Sequence, residues 1–448
     1  MKYIDEVKKK IPVIAETDVL VVGGGPSGLS AAISAAREGM TTILIERFGS
    51  FGGNITQSMV ESIAWYRHEN TVEAGGLNLE FEERAKAIGG TMDDPESIGE
   101  LLDTELFKVV ADDMILESGV KPLLHALAVD VIMDGATIKG IITESKSGRG
   151  AILAKRVIDA TGDADIAFHA GAPYKISPAN QRMAVTTNFA ISGVNKDEFL
   201  EYMKNNPGKI SDWATETTGK EDDLYSPYIV EPFLKAKRAG EIPEDARIES
   251  YWSGGITESG EVTNLNAVHI FNIDPTNVWD LTKAEIEGRK QALLAIDALR
   301  KYMPGFKKAK LRNFACSIGT RESRKVVGMY ELTGDDVRNE ARFDDSIGAC
   351  PEFLDAYGIV ILPTTGRYFH VPYRVTVPQN VDNLLVAGRS ISSDRIAFSA
   401  TRQMVCCAIT GQAVGVAASI SIKDSVSCRK INIQKVQKIL ENRGVRVF

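Results

Sequence analysis

Val21-Val22-Gly23-Gly24-Gly25-Pro26-Ser27-Gly28, "VVGGGPSG", ends an apolar run and opens into Leu29 to Glu38, "LSAAISAARE", which stops at Gly39. Asp18 to Val22 reads as a strand. The alanine-rich segment reads as a helix ended by a glycine, and Thr41 to Glu46, "TTILIE", reads as the next strand. Together they make a β-α-β unit. Gly23-x-Gly25-x-x-Gly28 has dinucleotide spacing: a tight turn, a close backbone approach to a pyrophosphate, and close contact between helix and strand. Backbone N–H groups at the helix start then face the phosphates.

Glu46 ends the second strand, where a carboxylate can accept both ribose hydroxyl protons of NAD or FAD but repels the 2′-phosphate of NADP. Gly49 to Thr56, "GSFGGNIT", brings a glycine pair soon afterwards, as an extended FAD needs along its length. Val157 to Ala167, "VIDATGDADIA", ends a third strand in small residues, and Asp382 to Arg389, "DNLLVAGR", runs a buried strand into a loop. Between these blocks, Val120 to Asp163 alternates apolar runs with turns at Asp134-Gly135 and Ser147-Gly148, the pattern of an antiparallel meander.

This set of motifs resembles the glutathione-reductase-like FAD-dependent oxidoreductases. Within them it resembles the single-dinucleotide branch that includes the flavin subunits of heterodisulfide reductases. The resemblance runs from about Pro12 to Ala418 and takes in "PGF" (Pro304 to Phe306), "IGTRESR" (Ile318 to Arg324) and "VPYR" (Val371 to Arg374). It implies that Gly23, Gly25, Pro26, Ser27 and Gly28 surround the pyrophosphate, with Glu46 and Arg47 at the adenosine ribose. Gly53, Asn54 and Thr56 fall on the ribityl side, Ala128 or Val129 at the adenine, and Thr161, Gly162 and Asp163 at the adenosine end. Gly388 closes the last strand against the cofactor, followed by Arg389 where many relatives carry an acid. Arg402, Gln403 and Met404 open the final helix toward the flavin's pyrimidine edge, where positive potential stabilises reduced flavin. "GGNITQS" holds neither histidine nor cysteine, so noncovalent FAD is expected.

The expected fold is α/β: a Rossmann-like FAD-binding domain, parallel sheet plus antiparallel meander, with an inserted mixed α+β substrate domain. Residues 1–172 and 372–425 form the first, 173–371 the second, and 426–448 a tail. The inserted stretch holds Trp213, Trp252 and Trp279, leaving only Trp65 outside it. No second G-x-G-x-x-G follows a strand, since Ile256 interrupts the run at Ser253-Gly254-Gly255, so a dedicated NAD(P)H domain is not expected.

Flavin N5 takes or gives hydride, and the protein supplies orientation and a proton path. The spacing of Arg321 and Arg324 suits one helix face, and Arg367, Tyr368, His370, Tyr373 and Arg374 cluster in "GRYFHVPYR". Arginine forks bind carboxylates in bidentate fashion. His370 or Tyr373 is then the proton carrier, with His269 a second candidate and His125 set aside in the meander. The catalytic candidates are thus His370, Tyr373, Arg374, Arg321 and Arg324. Against this stand salt bridges from Arg321 and Arg324 to Glu322 or Glu331, and His370 as a packing residue.

The expected activity is two-electron transfer between flavin and a small polar substrate, a carboxylate or carbonyl compound. The alternative is a flavin electron-transfer subunit, against which stands the lack of an iron–sulfur cysteine pattern among Cys316, Cys350, Cys406, Cys407 and Cys428. The same count predicts no metal site and a reducing, cytoplasmic compartment. A net charge of −8 over 448 residues speaks against a nucleic-acid partner. Val405 to Ile422 carries no formal charge, but its Ala, Gly and Ser content predicts a buried helix and not a membrane span. Substrate, direction, electron donor or acceptor and oligomeric state stay open, a homo-oligomer included.

Overall fold

The apolar run before the glycines forms β1 (Val13–Val22), which pairs in parallel with β2 (Thr42–Ile45) on one edge. β2 pairs in parallel with β3 (Lys121–Leu123). The meander consists of β4 (Leu127–Asp134), β5 (Thr137–Ser145) and β6 (Gly148–Asp159), antiparallel to one another. β6 serves three partners: besides β5, it lies parallel to β1 over Ala151–Asp159, and its last residues also pair in parallel with the strand Leu384–Val386. The resulting order is β3-β2-β1-β6-β5-β4. The computed structural model describes residues 4, 10–63, 71–93, 99–206, 227–248, 255–356, 359–361 and 366–448. Trp65, Trp213, Trp252, Ser253 and Gly254 lie outside them.

Alternation along β1 sorts its side chains onto two faces. Val19 and Val21 join Leu29, Ala32 and Ile33 of α1 (Pro26–Arg37) in one apolar cluster, while Leu20 and Val22 join Ile43, Ile45, Val157 and Val386 in another. The parallel β-α-β unit and the meander expected from the sequence are both present, giving the mixed α/β, Rossmann-like architecture.

A second, antiparallel sheet has the order β8-β7-β9, from β7 (Val185–Ser192), β8 (Val262–Ile270) and β9 (Lys310–Phe314). Val185, Phe189, Ile191, Leu265 and Val268 face the helix α2 (Val278–Tyr302) and bury Ala292, Ile296 and Leu299 against themselves. Leu332, Val337, Ile347, Phe353 and Phe369, by contrast, belong to the same apolar cluster as α1. So do Val436, Leu440, Val445 and Val447 near the C-terminus.

The uncharged segment forms α3 (Met404–Lys423), with a mean hydropathy of 1.8 and 94% of its apolar window buried inside the protein. It lies directly on α1. A Cβ at Gly411 would come 2.1 Å from the Ser27 carbonyl oxygen, and one at Gly415 would come 2.3 Å from that of Ala31. The small residues that kept this stretch from reading as a membrane span are those that let two helix backbones touch. Cys406 and Cys407 diverge: Cys406 meets Cys350, whereas the Cys407 sulfur lies 3.4 Å from the Arg402 carbonyl oxygen.

Candidate functional site

The glycine loop is built by backbone. Gly23 has φ +100°, and a Cβ there would stand 2.5 Å from the Ala160 carbonyl oxygen at the end of β6. A Cβ on Gly28 would come 1.7 Å from the Gly23 carbonyl oxygen. Gly25 caps α1 without a side-chain hydrogen bond, and no acidic residue occupies the first turn, so the positive end of the helix is unopposed. The second glycine pair comes to the same place: Gly52 N–H donates to the Gly24 carbonyl at 2.8 Å, and a Cβ on Gly53 would lie 2.6 Å from Gly25 Cα.

Glu46 is buried and already holds the loop, accepting from Gly24 N–H at 2.7 Å and Phe48 N–H at 2.9 Å. Two acceptor positions of that carboxylate stay free in principle. Arg47 is exposed over the Phe48 ring, and Asn54 is exposed at the start of its short helix. Thr56 turns its hydroxyl onto the Phe51 carbonyl, and Ala128 and Val129 are half-buried in β4. Thr161 donates to Asp159 at 2.7 Å. Asp163 accepts from Arg389 at 2.6 Å and from the Ser323 hydroxyl at 2.6 Å, and Gly162 carbonyl accepts from Arg389 Nε at 2.8 Å. Arg389 therefore latches two chain segments together. Gly388 N–H donates to Thr410, and a Cβ there would meet Ser27 Oγ at 2.6 Å. Gln403 caps α3 with no side-chain bond to it, its amide donating instead to Ser399 carbonyl, and Met404 follows as the first helical residue. Around the same junction Ser390 Oγ, Thr401 Oγ1 and Arg402 Nε are buried without a partner among the described residues.

The second sheet shows its polar face to this region. Asn188 on β7 donates to the Ser58 carbonyl at 2.7 Å, and Ser317 N–H donates to the Gln57 carbonyl at 3.0 Å. Thr186 Oγ1, Asn188 Oδ1 and Asn264 Oδ1 are buried with no partner among the described residues. Buried polar atoms of this kind are completed by ordered water or by a bound group. At one end of this face Arg321 reaches Asn266 Oδ1 at 3.3 Å, His269 Nε2 at 3.3 Å and the Ala184 carbonyl at 3.4 Å. All three contacts are long, and no described carboxylate forms an ion pair with it. Asp355, half-open to the cleft, pairs at 2.8 Å with Arg402, not with Arg321.

Burial and the neighbouring Arg402 push the Arg321 guanidinium down to about 10, so it stays cationic at neutral pH. Burial and Arg321 push His269 down to about 3, leaving a neutral ring that accepts from Arg321 through Nε2. Burial pushes Asp355 up, but Arg402 and Arg321 outweigh it and hold the carboxyl below its ordinary range. At the other end, Glu61 is 3% exposed, accepts from the Thr263 hydroxyl at 2.8 Å, and is pushed up by burial to about 8.

The structure does not gather the expected catalytic residues. Arg321 and Arg324 share no helix, because Gly319 bridges to Thr186 and draws the segment out straight. Arg324 pairs with Asp165 at 2.9 Å and lies over the Phe168 ring, on the meander side. Tyr373 is buried and donates to the Cys428 carbonyl at 2.9 Å. Arg374 pairs with Asp345 at 2.9 Å. His370 accepts from Phe343 N–H at 3.3 Å and packs on Phe448, and burial and Arg342 push it down to about 4. Arg367 holds Glu352 at 2.8 Å. The strand Tyr368–Pro372 pairs with Ser346–Pro351, which directs these side chains into local packing. Asp355, Glu61, Asn188 and Asn266 went unread in the sequence. Asparagines inside the β-runs "VTTNFAIS" and "VTNLNAVHI" were the available signal, since strands are poor in asparagine.

The opposed glycine turns, the uncapped helix ends and the unpartnered buried polar atoms fit an extended dinucleotide. Comparison with known proteins agrees. Residues 18–440 match the family described as FAD dependent oxidoreductase, and the chain belongs to it. It is an FAD-dependent oxidoreductase with FAD as cofactor. Over 188 residues, 37% of this chain, it is 29% identical to thiamine thiazole synthase of Saccharolobus islandicus (strain L.S.2.15 / Lassen #1), spanning 66% of that protein. With thiamine thiazole synthase of Methanococcus maripaludis (strain C5 / ATCC BAA-1333) it shares 30% identity over 173 residues, 35% of this chain and 60% of that one. Among solved structures, a geranylgeranyl bacteriochlorophyll reductase-like protein of Thermoplasma acidophilum aligns over 97% of this chain and 85% of its own, at 15% identity and a TM-score of 0.47. The p-nitrophenol 4-monooxygenase of Pseudomonas putida aligns over 96% and 84%, at 12% identity and a TM-score of 0.45.

Proposed function

We propose that the enzyme exchanges a hydride with a small anionic substrate, a carboxylate or a carbonyl compound bearing one, bound on the polar face of the second sheet. The observation that carries this reading is Arg321: a desolvated guanidinium, cationic at neutral pH, with only long neutral contacts. A buried charge left so loosely held gains most from an incoming carboxylate. Bound FAD supplies the two-electron chemistry. Arg321 anchors and orients the substrate. Neutral His269 fixes the guanidinium, and Arg402 adds positive potential while Asp355 tethers it. Glu61 keeps its proton at neutral pH and is the proton source along this face.

FAD, held noncovalently, would lie with its pyrophosphate between Gly23–Gly28 and Gly52–Gly53 and its ribose at Glu46. Its flavin end would reach Asn188, Thr401 and the start of α3. Arg389, already engaged by Asp163, would act by closing Gly162 onto the strand end. Placement in the glutathione-reductase-like superfamily, beside the heterodisulfide flavin subunits, is part of this proposal. So is the division of the chain, where the packing of Leu332 to Phe369 with α1 supports ending the inserted unit near residue 331.

An anaerobic titration of the flavin absorbance against a panel of carboxylates and their reduced partners tests the reading. One compound is expected to bleach or restore the flavin, and Arg321→Gln is expected to slow that response by about 30-fold or more with FAD still bound. Full response in Arg321→Gln would place the substrate elsewhere. A flavin that stays with denatured protein would overturn noncovalent binding.

A further inference from the structure

Two cavities besides the cofactor cleft carry charged walls, and they differ in what those charges do. One, of about 590 Å³, is lined by Arg342, Asp345, Arg374 and Arg429. Its charges are spent internally: Arg374 on Asp345 at 2.9 Å, Arg429 on Asp382 at 3.0 Å, and Arg342 stacked on the Tyr368 ring at 3.8 Å.

The other, of about 530 Å³, opens beside α2 and is lined by Asp245, Arg247, His269, Lys283, Glu287 and Gln291 among others. Asp245, Arg247 and Lys283 are exposed at its mouth, whereas Gln291 is buried and Glu287 and His269 are half-buried at its inner end. Lys283 and Asp245 make no ion pair or side-chain hydrogen bond with any described residue. Lys283 and Glu287 sit one helical turn apart, in the order in which opposite charges attract less strongly on a helix, and no ion pair joins them. Glu287 is instead aimed by Gln291, whose Nε2 donates to it at 3.0 Å, and the Gln291 carbonyl oxygen is buried with no described partner. Lys283 at the mouth and Glu287 at the inner end line the same concave space without pairing, which matches a ligand that carries both signs.

We propose that this cavity binds a zwitterion of the amino-acid class, its carboxylate at Lys283 and its ammonium at Glu287. A singly charged analogue leaves either Lys283 or the half-buried Glu287 without a counter-charge, which is how the site disfavours it. The bound molecule lies against His269, whose Nε2 is 3.3 Å from Arg321 Nη2, so it shares one wall residue with the anion site without using Arg321 itself.

Calorimetric titration of the FAD-loaded protein with L-norleucine, hexanoate and pentylamine tests this. Norleucine is expected to bind saturably, with each singly charged analogue weaker by about tenfold or more. Lys283→Gln and Glu287→Gln are each expected to weaken norleucine by about tenfold with FAD content and Tm unchanged, and Arg321→Gln to leave it unaltered. The proposal is overturned if norleucine gives no saturable heat, if either analogue matches it, or if both wall variants retain its affinity. Loss of binding in Arg321→Gln alone would also overturn it, by moving the zwitterion to the anion site. Binding heat is read without turnover, so a failure to find an oxidisable carboxylate leaves this result standing.

Discussion

The glycine loop and the polar face of the second sheet are built on opposite plans. In the loop the backbone does the work: Gly23, Gly28, Gly52 and Gly53 permit contacts that any Cβ would block, and Glu46 satisfies two loop N–H groups. On the sheet the side chains do it: Thr186 Oγ1, Asn188 Oδ1 and Asn264 Oδ1 lack partners among the described residues, and Arg321 has only long ones. The loop is thus held together by its own contacts, whereas in the proposed function the sheet face is completed by its ligand. Changes in the loop should cost fold and cofactor together, and changes on the face should cost chemistry alone.

The largest expected effect is at Gly28. Gly28→Ala places a methyl 1.7 Å from the Gly23 carbonyl oxygen, where only backbone displacement can relieve it. Loss on the order of 4 kcal/mol in stability is expected, with little FAD retained; a denaturant melt and the flavin-to-protein absorbance ratio check both. A variant that melts normally and stays yellow would break the claim that the loop is held by backbone contact.

Next comes Arg321→Gln, expected to cost about 2–3 kcal/mol in kcat/KM, roughly 30- to 150-fold, once a substrate is found. FAD content should stay normal. If FAD is lost as well, the two regions are not separable as argued.

Glu46→Ala is a smaller test on the loop side. Two N–H groups lose their acceptor, a cost of about 1–3 kcal/mol for each group left buried and unpaired. Weaker FAD binding and a lower Tm should appear together, and equilibrium dialysis beside thermal melts would reveal whether they do.

Glu61 gives a pH test on the face. Its carboxyl, ordinarily near 4.5, is pushed up to about 8, so between those values the folded protein holds a proton that the unfolded chain has released. Its contribution to stability is full below pH 4.5, declines as pH rises, and is lost above 8. Glu61→Gln removes that loss, so its Tm relative to the parent should climb by a few degrees from pH 5 to pH 9. A flat difference across that range would mean the carboxyl is ionised in the folded state.

The smallest effect on chemistry is expected at Tyr373 and His370. Tyr373→Phe forfeits the bond to the Cys428 carbonyl, worth about 1 kcal/mol of stability, and should leave flavin reduction within about twofold. Slowed reduction with unchanged stability would return Tyr373 to the active site.

How much could be read in advance follows the same divide. The loop, the second glycine pair at Gly52-Gly53, the meander turns and the buried character of α3 were legible because each depends on neighbours a few residues apart. "GRYFHVPYR" misled for a reason of the same kind. Its basic and aromatic residues crowd together in sequence, but strand pairing with Ser346–Pro351 turns them to separate partners: Asp345, the Cys428 carbonyl and Phe448. Closeness in sequence is not convergence in space.

The sequence by itself determined the β-α-β unit and its dinucleotide spacing, because glycine φ freedom and apolar periodicity are local properties. Only the tertiary structure decided which charges come together. Arg321, His269, Asp355 and Arg402 come from four separate segments between residues 269 and 402, and each is inert in its own local context. Their proposed role as a group arises from burial, which removes water that would otherwise screen them, and burial is fixed only when the second sheet packs on the turn at Gln57–Ser58 and on its neighbouring segments.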